Sequence, residues 1–366
     1  MPFDSGSVGF QVCKLPQPLP DDSLQRFQKG AAGPLKHVRD EPRLGWVSGR
    51  HLLETEIDEN TAYAGGYLHL SLRQAERKIP SSLLKAECRM AELKIMSEEG
   101  KEMLSRKRKK DIKVDVTERL LPDMPPQIKG IPFVVDENSE KIYVGATSDK
   151  QMDTFIDYFT QCMGFSPVPL VPDELATEMV GDSAAELPKL IFAEQNNADD
   201  PSPALGKTFL TWLWYYLDQR KGQLPETQLG ELYMVLDGPL VFVADSEDAQ
   251  EVTMRKGAPT FSAEARAALQ SGKKLKRAKI TLARVGDEVW EGSLDVDNMS
   301  FRSFKLPDSE NLDSESMFED RLNRIHELYT VITELYKLFL TQISDSSKAS
   351  QIQAEIKEWG DKLGQG

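Results

Sequence analysis

The side chains best placed to do chemistry form a run of cations. Five of them are consecutive and a sixth follows closely: Arg106, Lys107, Arg108, Lys109, Lys110 and Lys113. Lys and Arg neutralise phosphates, so nucleic-acid binding is the chemistry that this run predicts. Neighbouring like charges on a helix repel one another, and a bound polyanion would relieve that repulsion. The alternative is a solvated helix face, and composition alone leaves both interpretations open.

A second basic segment lies nearer the end of the chain. Its candidate DNA-binding residues are Arg255, Lys256, Lys273, Lys274, Lys276, Arg277 and Lys279. The later ones open a predicted strand that continues through residues 280–285. Alternate residues of a strand share a face, so Lys274 and Lys276 can line one side of a sheet, with Arg284, Arg302 and Lys305 as neighbours. The alternative is an edge strand whose charges prevent aggregation.

The first run must be positioned by helices. Leu84, Cys88, Ala91 and Ile95 recur at helical spacing, which predicts one packed stripe. Gly100 disfavours a continuous helix, so the sequence predicts two helices, at residues 82–99 and 101–121. Together they make a helical finger over residues 80–122.

The remaining periodicity predicts an α+β fold with antiparallel or mixed sheets and covering helices. Strands are expected at residues 8–15, 65–72, 131–135, 142–144 and 299–306, a hairpin at residues 232–243, and helices at residues 148–164 and 262–270. A long C-terminal helix carries an apolar stripe from Leu322 to Phe339. Three segments are predicted: residues 1–172 including the finger, 173–250, and 251–366.

Residues 206–218 are rich in aromatic and aliphatic side chains. Aromatic rings can stack on bases, but a nearly continuous apolar helix is more typical of a core or a subunit interface. The segment is therefore interpreted as packing, with a partner-binding surface as the alternative.

Composition sets bounds on function. The chain has 366 residues, 40% of them hydrophobic, and a formal net charge of -14. An acidic total argues against a generally basic DNA-coating protein but permits local phosphate binding. The sequence contains neither a membrane span nor a secretory signal, and its three cysteines lack metal spacing, so a cytoplasmic protein with reduced thiols is expected.

Carboxylates that could hold a catalytic metal are scattered. The candidates are Asp173 with Glu186 and Lys189, and Asp295 with Asp297. The spacing of neither set is that of a metal site, and turn chemistry explains the second equally well. We therefore expect no catalytic residue, no metal site and no cofactor.

A family resemblance runs through the same residues. Its motifs, in chain order, are residues 44–47 (LGWV), 78–81 (KIPS), the basic run into 111–113 (DIK), 120–122 (LLP), 131–146 and 167–170 (PVPL). This order of motifs resembles that of the bacterial recombination-associated RdgC family, whose members are also catalogued under the description of an exonuclease. The similarity is continuous from about residue 44 to residue 170 and weaker over residues 251–340.

The resemblance implies a cytoplasmic, nucleoid-associated protein that binds double-stranded DNA without sequence preference. It also implies a homodimer closed into a ring around the duplex, which modulates homologous recombination or replication and is not a proven nuclease. After the LLP motif, relatives continue with a basic residue and an aromatic one, whereas this chain has Asp123, Met124, Pro125 and Pro126. A DNA contact made there by relatives is expected to be lost or remade.

Three hypotheses follow. The first is a DNA-binding ring dimer that neutralises phosphates with the two basic segments. The second is a metal-dependent exonuclease, which would remove labelled ends in the presence of Mg²⁺. The third is a protein-interaction or assembly factor that uses residues 209–217, and it predicts no salt-sensitive DNA affinity.

Overall fold

The structure is a computed structural model that describes residues 2–39, 41–188, 190, 192, 205–227, 229–244, 251–255, 260, 262–308 and 313–363. Its helices and strands, in chain order, are β1 (Val8–Lys14), α1 (Ser23–Lys29), β2 (Arg43–Ser48), α2 (Glu59–Ala62), β3 (Tyr63–Ala64), β4 (Tyr67–Arg77), α3 (Ser81–Glu99), α4 (Arg106–Leu120), β5 (Pro126–Asp136), β6 (Lys141–Val144), α5 (Asp149–Met163), β7 (Val168–Pro169), α6 (Pro172–Val180), α7 (Leu205–Gln219), β8 (Leu232–Val243), β9 (Val252–Met254), α8 (Ala263–Gln270), β10 (Lys274–Arg284), β11 (Glu288–Asp295), β12 (Ser300–Lys305), α9 (Ser314–Ile343) and α10 (Ser346–Lys362).

Two compact units make up the chain. Unit 1 comprises residues 1–19, 64–68 and 134–366, and unit 2 comprises residues 20–63 and 69–133. The segments 173–250 and 251–366 predicted from the sequence do not correspond to units of this division, because β8 of the first pairs with β10 of the second. Helices and antiparallel strands occur in both units, which confirms the predicted α+β class.

Unit 2 is built on the strand order β2, β4, β5. Strand β2 runs antiparallel to β4, with Trp46 opposite Leu72. The ring of Trp46 lies 5.3 Å from Phe27 and 5.3 Å from Phe133, centroid to centroid, in edge-to-face contacts that aromatic pairs prefer. These rings form part of the buried core of unit 2.

Unit 1 contains the strand order β6, β1, β12, β11, β10, β8, β9. Strand β10 is hydrogen-bonded on both sides, antiparallel to β11 and to β8. The interpretation of its charges as protection of an exposed edge is therefore wrong, since this strand has no free edge within the sheet.

The predicted hairpin at residues 232–243 is also wrong. Strand β8 continues through Asp237, Gly238 and Pro239 as one element. Both halves of β8 pair with β10, and the register shifts opposite Arg277 and Lys279 absorb the irregular residues. The turn-forming sequence therefore produces a bulge, which keeps both halves on one partner.

Helices cover the buried face of this sheet. Helix α7 packs on β10, and its aromatic side chains lie in the core with the apolar stripe of α9. The hydroxyl of Tyr215 donates to Glu355 of α10 at 2.7 Å, and the indole N–H of Trp359 donates to Asp218 at 2.8 Å. The interpretation of residues 206–218 as core is confirmed, as is the long helix at the C-terminal end.

Helix α5 begins and ends where the sequence predicts. It follows Ser148 and stops at Gly164, whose φ of 84° suits a residue without a side chain. Among the described residues, none of the helices combines the length and the apolar character that a bilayer crossing requires.

Candidate nucleic-acid interface

The helical finger is an antiparallel hairpin of α3 and α4. Two ion pairs join the helices: Arg119 Nη2 lies 2.7 Å from Glu87 Oε2, and Lys109 Nζ lies 3.6 Å from Glu92 Oε2. The sequence separation within the pairs shortens toward the turn, as an antiparallel arrangement requires. The two predicted helices are thus confirmed as one hairpin.

A small apolar core holds the hairpin together. Leu104, Ile112 and Val116 are buried, and the predicted stripe of α3 packs against them: Leu84, Cys88, Ala91 and Ile95. Helix α3 has no fully buried residue. Because so little apolar area is buried, the hydrophobic stabilisation of the finger is small, and its exposed ion pairs add little to it.

The turn between the helices is longer than the sequence predicted. Gly100 ends α3 at a φ of 61°, and α4 begins at Arg106 instead of residue 101. The cause is local, because Leu104 enters the hairpin core and the hydroxyl of Ser105 accepts a hydrogen bond from the Arg108 N–H at 3.2 Å. Ser105 therefore fixes the start of the basic helix.

All six cations of the first basic run are exposed. Successive residues of an α-helix turn by about 100°, so Arg106, Lys110 and Lys113 share one side of α4, which we name the basic face. Lys107 borders it. Within the described part of the chain, these four cations form no ion pair. The free charge of the finger is thus concentrated on one side.

Other charges of α4 point elsewhere. Lys109 lies on the side that packs against α3, where it meets Glu92. Helical spacing places Asp111, Asp115 and Glu118 away from the basic face. The periodicity of positions 106, 110 and 113 was available in the sequence, and it would have identified the basic face without a structure.

The start of α4 adds to the positive potential. Its first turn contains no acidic side chain, and the unpaired N–H groups there carry partial positive charge. The pKa of Glu99, across the turn, is lowered by its hydrogen bond to Lys101 and the charge of that ammonium, and also by Arg108. Anions are favoured at this end of the finger.

The second basic segment lies in a different environment. Lys276 Nζ is 2.8 Å from Asp297 Oδ2, Arg277 is 3.7 Å from Asp295, and Lys279 contacts Glu291. These carboxylates come from β11 and the residues that follow it. The charges of the three cations are therefore largely compensated within the sheet.

The other candidate DNA-binding cations of that segment differ in their exposure to solvent. Lys274 is buried, Lys273 is half-buried and Arg255 is exposed, while Lys256 lies outside the described residues. The described structure therefore places far less free positive charge here than on the finger.

Of the candidate metal-binding carboxylates, Asp295 and Asp297 are paired with cations. Asp295 is buried between Arg277 and Arg302, the latter at 3.2 Å, and burial raises its pKa despite the opposing effect of Arg302. Burial also raises the pKa of Asp173, whereas its suggested neighbour Lys189 is outside the described residues. In the described ranges, no group of three or more His, Cys, Asp or Glu side chains is arranged to hold a metal ion.

Comparison with known proteins places the finger within a matched region. Residues 20–180 match the model of a family described as "Putative exonuclease, RdgC". The chain is 24% identical over 174 residues to a protein named recombination-associated protein RdgC from Psychromonas ingrahamii, which covers 46% of this chain. The match spans about half of the relative, 54% of its length. The resemblance seen in the sequence is confirmed over residues 20–180.

Proposed function

Because the region that matches the RdgC family carries the basic face, we propose that this protein binds double-stranded DNA through its finger, without sequence preference. The observation that carries the proposal is the exposed, uncompensated side of α4 formed by Arg106, Lys110 and Lys113. Each cation that meets a phosphate releases condensed counterions, which supplies binding free energy at low salt.

Lack of sequence preference follows from the kind of contact. Lys and Arg on a helix face that meets phosphates position a protein but read no base. The helix N-terminus at Arg106 adds backbone N–H groups, which also favour phosphate. Lys276, Arg277 and Lys279 would join the interface only if DNA displaced their carboxylate partners, so they contribute less.

We extend the proposal to assembly and cellular role on the strength of the family match. The protein acts as a homodimer that closes around the duplex, associates with the nucleoid in the cytoplasm, and modulates recombination. The supporting finding is the similarity to the recombination-associated relative. Dimer mass in solution, measured by light scattering, tests the assembly.

A metal-dependent exonuclease is the second candidate, and the description of the matching family favours it. Such an enzyme needs carboxylates free to bind a divalent ion. Asp295 and Asp297 instead contact Arg302 and Lys276. Release of label from the ends of a duplex in Mg²⁺, lost with EDTA, would establish this activity.

The hypothesis of a protein-interaction factor required residues 209–217 to form an exposed partner-binding surface. Phe209, Trp212 and Trp214 are buried in unit 1 and are not available to a partner. A protein of this kind would now need another contact surface.

The proposed function is tested by comparing two variants that lose the same charge. The first replaces residues 106–110 with Ala, a strong helix former that preserves α4. The control replaces five exposed lysines elsewhere: Lys29, Lys36, Lys337, Lys348 and Lys357. Affinity is measured with two unrelated duplexes of about 40 base pairs at low salt.

The intact protein is expected to bind both duplexes equally, the finger variant much more weakly, and the control variant nearly as tightly as the intact protein. Equal losses in the two variants would assign binding to net charge, and strong preference for one duplex would contradict phosphate recognition. The absence of binding by the intact protein at low salt would end the DNA proposal.

A further inference from the structure

The turn at the end of the finger carries an unusually exposed apolar side chain. Met103 is 82% exposed, more than any other large hydrophobic residue in the described chain. Leaving such a side chain in water forgoes the stabilisation that burial would give. Its neighbour Leu104 is buried in the hairpin core, so the exposure of Met103 does not reflect a turn without anchorage.

The finger holds Met103 far from the sheet of unit 2. Helix α3 follows β4 and α4 precedes β5, so the turn lies at the opposite end of the hairpin from both strands. A helix of 19 residues extends the finger by about 28 Å. Gly100 and Ser105 cap the two helices on either side of the turn, which limits the positions that Met103 can reach.

Cations flank the same side chain. Arg106 and Lys107 begin α4 just after it and are exposed. Glu98 and Glu102 are exposed nearby and would oppose a phosphate, but the start of α4 adds the positive end of its dipole. Proteins that deform DNA insert apolar side chains, methionine among them, between base steps, and an exposed apolar tip beside phosphate-binding cations fits that role.

We infer that Met103 acts as a wedge that enters the base stack of the duplex while the cations at the start of α4 hold the adjacent phosphates. The inference rests on the proposed DNA binding and adds a role that the phosphate contacts do not supply. Insertion partly unstacks two base pairs and kinks the duplex. Sites where stacking is already weakened, such as a mismatch, should therefore be preferred.

The test compares Met103→Ala with Met90→Ala. Met90 lies on α3 of the same finger and is 61% exposed, so the control removes the same side chain from an exposed helical position. Each protein is titrated onto a duplex of about 40 base pairs and onto the same duplex with one central mismatch. A 2-aminopurine beside the mismatch, or at the equivalent matched position, reports unstacking through its fluorescence.

The intact protein and Met90→Ala are expected to bind the mismatched duplex about tenfold more tightly, equivalent to about 1.4 kcal/mol, and to raise the fluorescence. Met103→Ala should lose the preference and the fluorescence change but keep its salt-dependent binding. A mismatch preference that survives in Met103→Ala, or salt-dependent binding by the intact protein with no preference, would overturn the wedge and leave the proposed function standing.

Two further outcomes would also overturn the wedge proposal. Failure of the intact protein to bind any duplex at low salt would refute both proposals together. Met103-dependent binding to vesicles of anionic phospholipid, without a mismatch preference on DNA, would also overturn the wedge, since it would assign the apolar tip to a membrane surface.

Discussion

The basic face predicts that two sets of cations on α4 contribute differently to the salt dependence of DNA affinity. One variant changes Arg106, Lys110 and Lys113 to Ala, and the matched variant changes Arg108, Lys109 and Arg119. Both lose three charges from α4. In the second set, however, Lys109 and Arg119 already pair with Glu92 and Glu87, and Arg108 lies off the basic face.

The magnitude follows from counterion release. Each phosphate contact contributes about 0.9 to the slope of log affinity against log salt, so loss of three contacts should make the slope shallower by about 2.7. If the affinity at 1 M salt is unchanged, this difference amounts to about 500-fold at 0.1 M. The matched variant should change the slope by less than about 1, because its cations are turned away or compensated.

The assay is a titration of a labelled duplex by fluorescence anisotropy at four or more salt concentrations. Circular dichroism of each variant checks that the finger remains helical. Equal changes of slope in the two variants would show that DNA affinity depends on the total charge of α4 and not on the basic face. An unchanged slope in the basic-face variant would refute the reasoning outright.

Further predictions concern stability. Trp212→Ala should lower the free energy of unfolding in urea by about 3–5 kcal/mol, since the indole is 1% exposed in the core of unit 1; a loss below about 1 kcal/mol would contradict that packing. Gly100→Ala should cost the finger about 1 kcal/mol through its positive φ alone, because no atom lies within 4 Å of the added methyl group; faster amide exchange in α3 and α4 is the measurement. Ser105→Ala should cost a similar amount, about 1 kcal/mol, by removing the cap of α4, and the same exchange experiment would show it in the first turn of that helix. Burial, assisted by Lys141, lowers the pKa of His326, so its contribution to stability is complete above its ordinary pKa of about 6.5 and is lost as the pH falls through the lowered folded value; His326→Gln should flatten the unfolding profile in that acidic window, and an unchanged profile would contradict the shift.

Elements with strong local signals were predictable from the sequence. Gly100 and Gly164 end helices where a positive φ is needed, and the apolar stripes of α3 and α9 identify their packed sides. Residues 206–218 were also assigned correctly to the core, because a segment that is apolar on nearly every side has no face for solvent.

Elements decided by distant partners were not predictable. Asp237, Gly238 and Pro239 have the composition of a turn, yet pairing with β10 keeps β8 in one piece. Strand β2 was missed because its short segment shows no clear alternation, although Trp46 is buried by Phe27 and Phe133. Tertiary contacts overrode local preference in both places.

Part of the candidate nucleic-acid interface could also be predicted from the sequence, and part could not. The exposure of the finger cations follows from the sequence pattern of α4 alone. The compensation of Lys276, Arg277 and Lys279 depends on the register of β10 with β11, which brings Glu291 and Asp295 beside them. A strand register cannot be read from one sequence, so the six cations of the first segment and the seven of the second gave no warning of their different free charge.

Hydrogen exchange of the intact protein with and without a duplex of about 40 base pairs tests most directly whether the finger binds DNA. Amides from residue 101 to residue 113, which include the turn and the start of α4, should exchange more slowly when the duplex is present at low salt. High salt should reverse this protection. Protection that appears only in unit 1, with exchange in the finger unchanged, would contradict the account.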